Sequence, residues 1–306
     1  MKRRLCLLAA CNSAQLPLAE ITVPRMKTYA GTHGYDHRFV FSDAWSRPRN
    51  WLKIEALRAV LAEDFDLVLW MDVDAIILRH DIDIRTALVE SASLHMAWHG
   101  PETVEILAPD FIPHFNSGVM LIKVNDWSRD FFRRVWETGQ LSHHWSDQAT
   151  ILHLLGHDEC LGLGPQRPQV PDRAHLARLD AAWNSIPGLA MAPDPIVHHY
   201  AGLGNPATRL RILRTDAASA DLRARAAPGL RQAFARQLNL WREDAFMRDW
   251  ITAERDSALA ETVAVERGRF LAERDEARAQ LAALQGSTSW RLTAPLRWTL
   301  ERLRPR

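Results

Sequence analysis

Leu67-Val68-Leu69-Trp70-Met71-Asp72-Val73-Asp74-Ala75-Ile76-Ile77-Leu78 decides how this chain folds. An apolar run enters an Asp-x-Asp pair, and a second apolar run resumes directly behind it. Uninterrupted apolar residues of this kind mark a strand buried on both faces, as in a parallel sheet. Open α/β sheets bind ligands beyond the carboxyl ends of their strands, which is where Asp72 and Asp74 fall. Two carboxylates side by side repel each other, and burying them unpaired is costly. A divalent cation carrying a diphosphate resolves both problems. The pairs Asp64/Asp66 and Asp81/Asp83 lack the apolar frame. The first reads as a solvated turn and the second as a helix cap.

Strand and helix patterns alternate outward from that segment. Residues 4–11, 38–41, 94–98, 115–124 and 196–199 read as strands. Residues 18–32, closed by Gly31 or Gly34, and residues 51–62, 127–137 and 146–155 read as helices. In the second helix Leu52, Ala56, Ala59 and Val60 point to one face. Ser146 is placed as the cap of the fourth helix, just ahead of Asp147. Pro-rich loops carry Pro165, Pro168 and Pro171. Such alternation implies an α/β fold with a mainly parallel sheet and helices on both faces.

With 306 residues, 47% of them hydrophobic and 25% charged, the chain has room for one large domain and an appendage. A formal net charge of +1 carries no nucleic-acid signature. Only Lys2, Lys27, Lys53 and Lys123 are lysines among 38 basic residues, a bias typical of GC-rich bacterial coding. Each retained lysine therefore draws attention. Cys6, Cys11 and Cys160 form neither a disulfide framework nor a metal spacing and fit a reducing cytosol. The apolar residues 5–10 imitate an export signal but fall short of its roughly 7–15-residue core. They read instead as a first buried strand. No later stretch reaches transmembrane length.

Three regions follow: residues 1–215, the α/β domain; 216–285, a helical extension; and 286–306, a basic Trp/Leu tail. Val263, Phe270, Ala277 and Leu284 recur every seventh residue, but the companion heptad position is mostly charged. Two readings stay open: a coiled coil that pairs two copies of the chain, and a solvated helix packed on its own domain. In the tail, five arginines against one glutamate are interleaved with Trp290, Leu292, Leu296, Trp298, Leu300 and Leu303. That composition suits an anionic membrane surface, or docking on protein. The expected location is cytoplasmic, peripheral on the inner membrane face if the tail meets lipid.

Further pieces occur in a fixed order: Tyr29-Ala30 with His33-Gly34-Tyr35, Trp51-Leu52-Lys53, the Asp72 segment, and Phe115-Asn116-Ser117-Gly118-Val119-Met120-Leu121-Ile122. Trp127-Ser128, Asp147-Gln148, Trp183-Asn184-Ser185 and His198-His199-Tyr200-Ala201-Gly202 complete the set. Over residues 4–205 this order resembles the retaining GT-A glycosyltransferases that include fungal α-galactosyl/α-mannosyl enzymes and plant xyloglucan xylosyltransferases. The tail string Ser287-Thr288-Ser289-Trp290-Arg291-Leu292 is similar to tails of many bacterial surface-polysaccharide glycosyltransferases.

The resemblance implies a GT-A fold and sugar transfer from a nucleotide-diphosphate sugar, UDP-sugar favoured, to a glycan or glycolipid acceptor. It implies Mn²⁺ or Mg²⁺ held by Asp72, Asp74 and His199, with Asp72 also near the ribose. His198, next in a strand, would face the other way. Lys53, Asn116 and Asp147 are the expected catalytic residues. Ala10, Cys11 and Asn12, through backbone groups, join Lys53, Asp72, Ser117 and Gln148 around the donor. Gly118 suggests close backbone approach, and Trp145 and Trp183 are either sugar-stacking faces or core. No enzymic nucleophile is required by the family. Two rivals remain: a non-catalytic sugar-nucleotide-binding or scaffold protein, and a haloacid-dehalogenase-type phosphatase. The phosphatase reading lacks its usual residue four positions after the first aspartate, where Ile76 stands.

Overall fold

Apolar runs flanked by turn residues become strands, and the amphipathic stretches between them become helices. The computed structural model describes residues 3–44, 47, 51–100, 105–106, 112–141, 145–187, 190–201 and 206–225. The chain runs β1 (Leu5–Cys11), α1 (Leu16–His33), β2 (Asp36–Phe41), α2 (Leu52–Leu61), β3 (Leu67–Met71), β4 (Ala75–Ile77), β5 (Leu94–His99) and β6 (Glu105–Ile106). It continues β7 (His114–Lys123), α3 (Asp126–Thr138), α4 (Ser146–Leu154), β8 (Leu176–Leu179), β9 (Ala190–Met191), β10 (Val197–His199) and α5 (Pro206–Arg225).

The central sheet has the order β2-β1-β3-β7-β5-β8. Only β7 runs against the other strands, antiparallel to both β3 and β5. Its sequence reads as one more buried strand because apolar patterning carries no direction. Pleat alternation then sorts the side chains. Cys6, Leu8, Val68 and Trp70 face α2, α3 and α4, whereas Leu5, Leu7, Leu67 and Leu69 face α1. Helices on both faces thus close two cores around one sheet.

Helix ends follow their local chemistry. Gly34, left-handed at φ 71°, stops α1. Asn125 and Ser128 form a reciprocal capping box on α3. Asp83 accepts from Arg85 N and caps a short 3-10 turn. Ser146 does not cap α4: it lies inside the first turn at φ 51°, and Trp145 precedes it without a side-chain cap bond. In α2 the buried arc runs through Leu52, Lys53, Ile54, Ala56, Leu57, Val60 and Leu61. At about 100° per residue that arc centres between Lys53 and Val60, which leaves Ala59 on its exposed side.

The two halves of the opening stretch are separate strands. A turn closed by Ala75 N to Asp72 O at 3.0 Å parts β3 from β4. β4 then pairs antiparallel with β10, and His199 sits opposite Ala75. β8, in the Pro-rich region read as loops, is a partly exposed edge strand whose short sequence gives little signal.

α5 crosses residue 216, where the composition changes, without a break. Ile212, Leu213 and Ala220 pack with Leu18, Ile76, Leu78 and Tyr200. Arg25 of α1 donates to Ile77 O at 2.7 Å and to Asp221 at 2.8 Å. Asp216 is fully buried, accepts from the Tyr200 hydroxyl, and lies 3.4 Å from His198 Nδ1. No helix among the described residues is long and apolar enough to cross a membrane. The heptad of residues 263–284, the tail of residues 286–306, and the membrane and dimer readings built on them lie outside the described residues.

Removing the Asp216 carboxylate takes away a buried partner of the Tyr200 hydroxyl and the His198 imidazole. Asp216→Ala is expected to cost about 1–3 kcal/mol in urea unfolding. Hydrogen exchange should show α5 opening before the sheet.

Candidate active site

The turn after β3 aims both aspartates into a polar cluster walled by α2, β7, α4 and β10. Lys53, in the middle of the buried face of α2, is 7% exposed. Its Nζ lies 3.1 Å from Asp72 Oδ1, 3.0 Å from Asp147 Oδ2 and 3.2 Å from Ser117 Oγ. Burial pushes this ammonium toward neutrality, but the Asp147 and Asp72 carboxylates outweigh it and raise its pKa. Trp70 Nε1 donates to Asp72 Oδ1 at 2.8 Å.

Asp147 is 5% exposed, and burial raises its pKa against the pull of Lys53. Its Oδ2, although close to Nζ, has no hydrogen bond of acceptable angle. Ser146, immediately before it, occupies a conformation that costs a non-glycine residue about 1–2 kcal/mol. Strain of this kind collects where a neighbour must be aimed. Gln148 Oε1 accepts from Ser117 N at 2.9 Å and ties α4 to β7.

β7 is bent where it meets the cluster. Met96 pairs with Met120 but Ala97 pairs with Asn116, so residues 117–119 bulge out of the β5 ladder. Bulges re-aim side chains beside sites. Gly118, in the bulge, lies against the His199 ring: a Cβ there would meet Cε1 at 2.0 Å. The close approach expected at Gly118 is therefore made by a candidate ligand itself.

His199 Nε2 lies 3.2 Å from Asp74 Oδ1 and 3.8 Å from Asp72 Oδ2. One ligand atom from each of the three residues falls within 4.8 Å of the others. His199 Nδ1 meets Asn184 Oδ1 at 2.9 Å, which orients the ring so that Nε2 faces the two carboxylates. Asn184 Nδ2 in turn donates to Asn116 Oδ1 at 2.9 Å, and Gly118 N donates to the same oxygen at 2.8 Å. Asn116, expected at the sugar, thus turns its oxygen inward and positions His199 through Asn184. His198 points the other way, toward Asp216.

A cation absent from the sequence expectation completes the cluster. Arg209 of α5 places Nη1 3.1 Å from Asp74 Oδ2. His199 and Arg209 together overcome the opposing effect of burial and lower the Asp74 pKa to about 2. The available signal was helical spacing: Arg209 shares a stripe with Ile212, Leu213, Asp216 and Ala220. Asn184 stood in the ordered piece Trp183-Asn184-Ser185, which marked its place but gave it no role.

The remaining expected residues stand at the rim or in the core. The register pairing Leu8 with Trp70 brings Ala10 level with Asp72. The Cys11 thiol is buried, its pKa pushed up to about 11, and its carbonyl accepts from Ser42 N. The Asn12 side chain caps the next turn through Ala14 N. Trp183 is core, 4% exposed, and Trp145 rests on His114 with ring centroids 4.5 Å apart.

Residues 8–161 match the model of the galactosyl transferase GMA12/MNN10 family. The chain belongs to that family. It is a glycosyltransferase that uses a nucleotide-sugar donor. The matched span holds Lys53, Asp72, Asp74, Ser117, Asp147 and Gln148, and ends before Asn184, His199 and Arg209. Among solved structures, a glycosyltransferase involved in glycosylation of the major capsid of PBCV-1 aligns with 69% of this chain and 99% of its own, at 16% identity and TM-score 0.52. That likeness supports the GT-A fold. GlyE of Streptococcus pneumoniae TIGR4 aligns over 71% and 61% of the two chains, at 16% identity and TM-score 0.45. Mouse xyloside xylosyltransferase 1 aligns over 65% and 98%, at 13% identity and TM-score 0.37. No curated protein matches the chain.

Asn184→Ala frees the His199 ring without touching a carboxylate, so Mn²⁺ affinity by calorimetry should fall about 10–100-fold. Arg209→Ala should act in the opposite direction on the free transferase. It removes a cation that competes for Asp74, so Mn²⁺ should bind more tightly in the same titration.

Proposed function

We propose that this transferase is divalent-metal-dependent and retaining, and moves a sugar from a UDP-sugar to a glycan or glycolipid of bacterial surface polysaccharide. The observation carrying this reading is the convergence of Asp72, Asp74 and the Asn184-oriented His199 beside buried Lys53. The donor set fits a metal. Carboxylate and imidazole groups suit Mn²⁺, and Mg²⁺ less exclusively. Three carboxylates, those of Asp72, Asp74 and Asp147, converge at the same place. When bound, the metal supplies Lewis-acid stabilisation of the leaving diphosphate.

The chain's own groups do the rest. Lys53, fixed by its carboxylates and Ser117, holds a preorganised positive charge where the diphosphate departs. Arg209 adds a second once its hold on Asp74 is released. Asp147 Oδ2, buried and held beside the Lys53 ammonium, keeps acceptor capacity for a sugar hydroxyl and would orient it. Ala10, Cys11 and Asn12 border the donor at the carboxyl end of β1. The reading of retention, and of a cytoplasmic place against the inner membrane, is supported by the family resemblance and by the basic Trp/Leu tail composition.

A panel of UDP- and GDP-sugars, assayed for nucleoside diphosphate release with Mn²⁺ and with EDTA, tests the reading. One donor should turn over, EDTA should abolish it, and Asp74→Ala should reduce it at least about 100-fold, the loss of roughly 2.7 kcal/mol of transition-state stabilisation. EDTA-resistant turnover, or near-normal activity in Asp74→Ala, would sink metal dependence.

A further inference from the structure

A cavity of about 340 Å³ lies beyond the carboxylate cluster, lined by Trp98, Phe115, His157, Arg173, Leu176 and Arg178. It falls within the roughly 300–1,000 Å³ of small-ligand sites. Trp98 of β5 and Phe115 of β7 are register partners with ring centroids 5.0 Å apart. Ser117 follows Phe115 by two residues, about 7 Å of extended strand. The cavity therefore neighbours the reacting centre without sharing its residues.

Two of its residues carry unsatisfied polar atoms. His157 is 1% exposed, yet neither ring nitrogen has a partner. Arg173 Nη1 is also buried and unpartnered. Groups left this way are rare in folded proteins and call for an explanation. Burial, and then the Arg173 charge, push the His157 pKa down to about 4, so at neutral pH it is uncharged and offers one N–H. The Arg178 guanidinium stands 5.1 Å over the Trp98 ring. No described lining residue is acidic. The nearby Asp158 is already engaged by Arg167 and by His153 at 2.5 Å.

Two guanidiniums and a neutral imidazole select an oxyanion, because the arginine fork matches two oxygens of a carboxylate or a phosphate. The Trp98, Phe115 and Leu176 walls decide between them. A bare phosphate would leave that apolar surface uncovered, whereas a sugar ring covers it with its apolar face. We propose that this cavity is a subsite for an acidic sugar of the acceptor glycan, a hexuronate-type ring stacked at Trp98 with its carboxylate on Arg173 and Arg178 and a polar group on His157. The word acceptor rests on the transferase reading above; the binding itself does not.

Saturation-transfer NMR on the full chain, with methyl glucuronide, methyl glucoside and inorganic phosphate as probes, tests it without turnover. Methyl glucuronide should receive saturation from the wild type and the glucoside should not. Arg173→Ala should weaken the glucuronide at least tenfold. Arg178→Ala, at an exposed position that folding tolerates, should do the same. No transfer to the glucuronide, equal transfer to the glucoside, wild-type binding in both variants, or tighter binding of phosphate would each overturn the proposal. Glucuronide binding by a chain that turns over no donor would sink the transferase chemistry and leave this site standing.

Discussion

Repulsion among three carboxylates at one end of a sheet is the constraint that the rest of the structure answers. Asp72, Asp74 and Asp147 converge from a strand end and a helix start, and none is far exposed. Lys53 separates Asp72 from Asp147, and Arg209 and His199 meet Asp74. Each of these basic groups comes from a different element. The packing of α2, β10 and α5 onto the sheet is therefore also the assembly of a charge-compensated cluster. Apolar burial holds those elements in place, since isolated surface ion pairs contribute little. The unusual backbone, a bulge in β7 and a left-handed serine before Asp147, falls where side chains must be turned toward that cluster.

Much of this was legible in the residues. Runs such as 5–10 and 67–71 leave no polar face, so burial on both sides followed directly, and with it a helix-covered sheet. Asp72 and Asp74 stood out because their apolar frame makes them expensive without a role. What failed to show had physical reasons. The direction of β7 leaves no trace in an apolar pattern. The split between β3 and β4 is a backbone turn inside one hydrophobic stretch. The cap expected from Ser146 failed because its backbone is turned to serve the next residue. Asn116 was found, but facing inward, since the bulge after it changes which side chains look toward the opening.

The orienting chain from Gly118 and Asn116 through Asn184 to His199 shows how little of a site is spelled by its ligands. Two amides in series orient one imidazole. A glycine then leaves the room that the ring occupies. Compatibility of this kind lies in the third dimension, between residues far apart in sequence.

The place of Arg209 has a consequence for how the molecule is made. A chain emerges from its amino terminus, so Asp72 and Asp74 are synthesised well before the helix that brings Arg209 to them. Through that interval the nascent sheet carries an excess of negative charge at its rim. Arg209 is thus the last of the basic groups to reach the aspartates, and the charge balance of the rim is completed only when α5 docks.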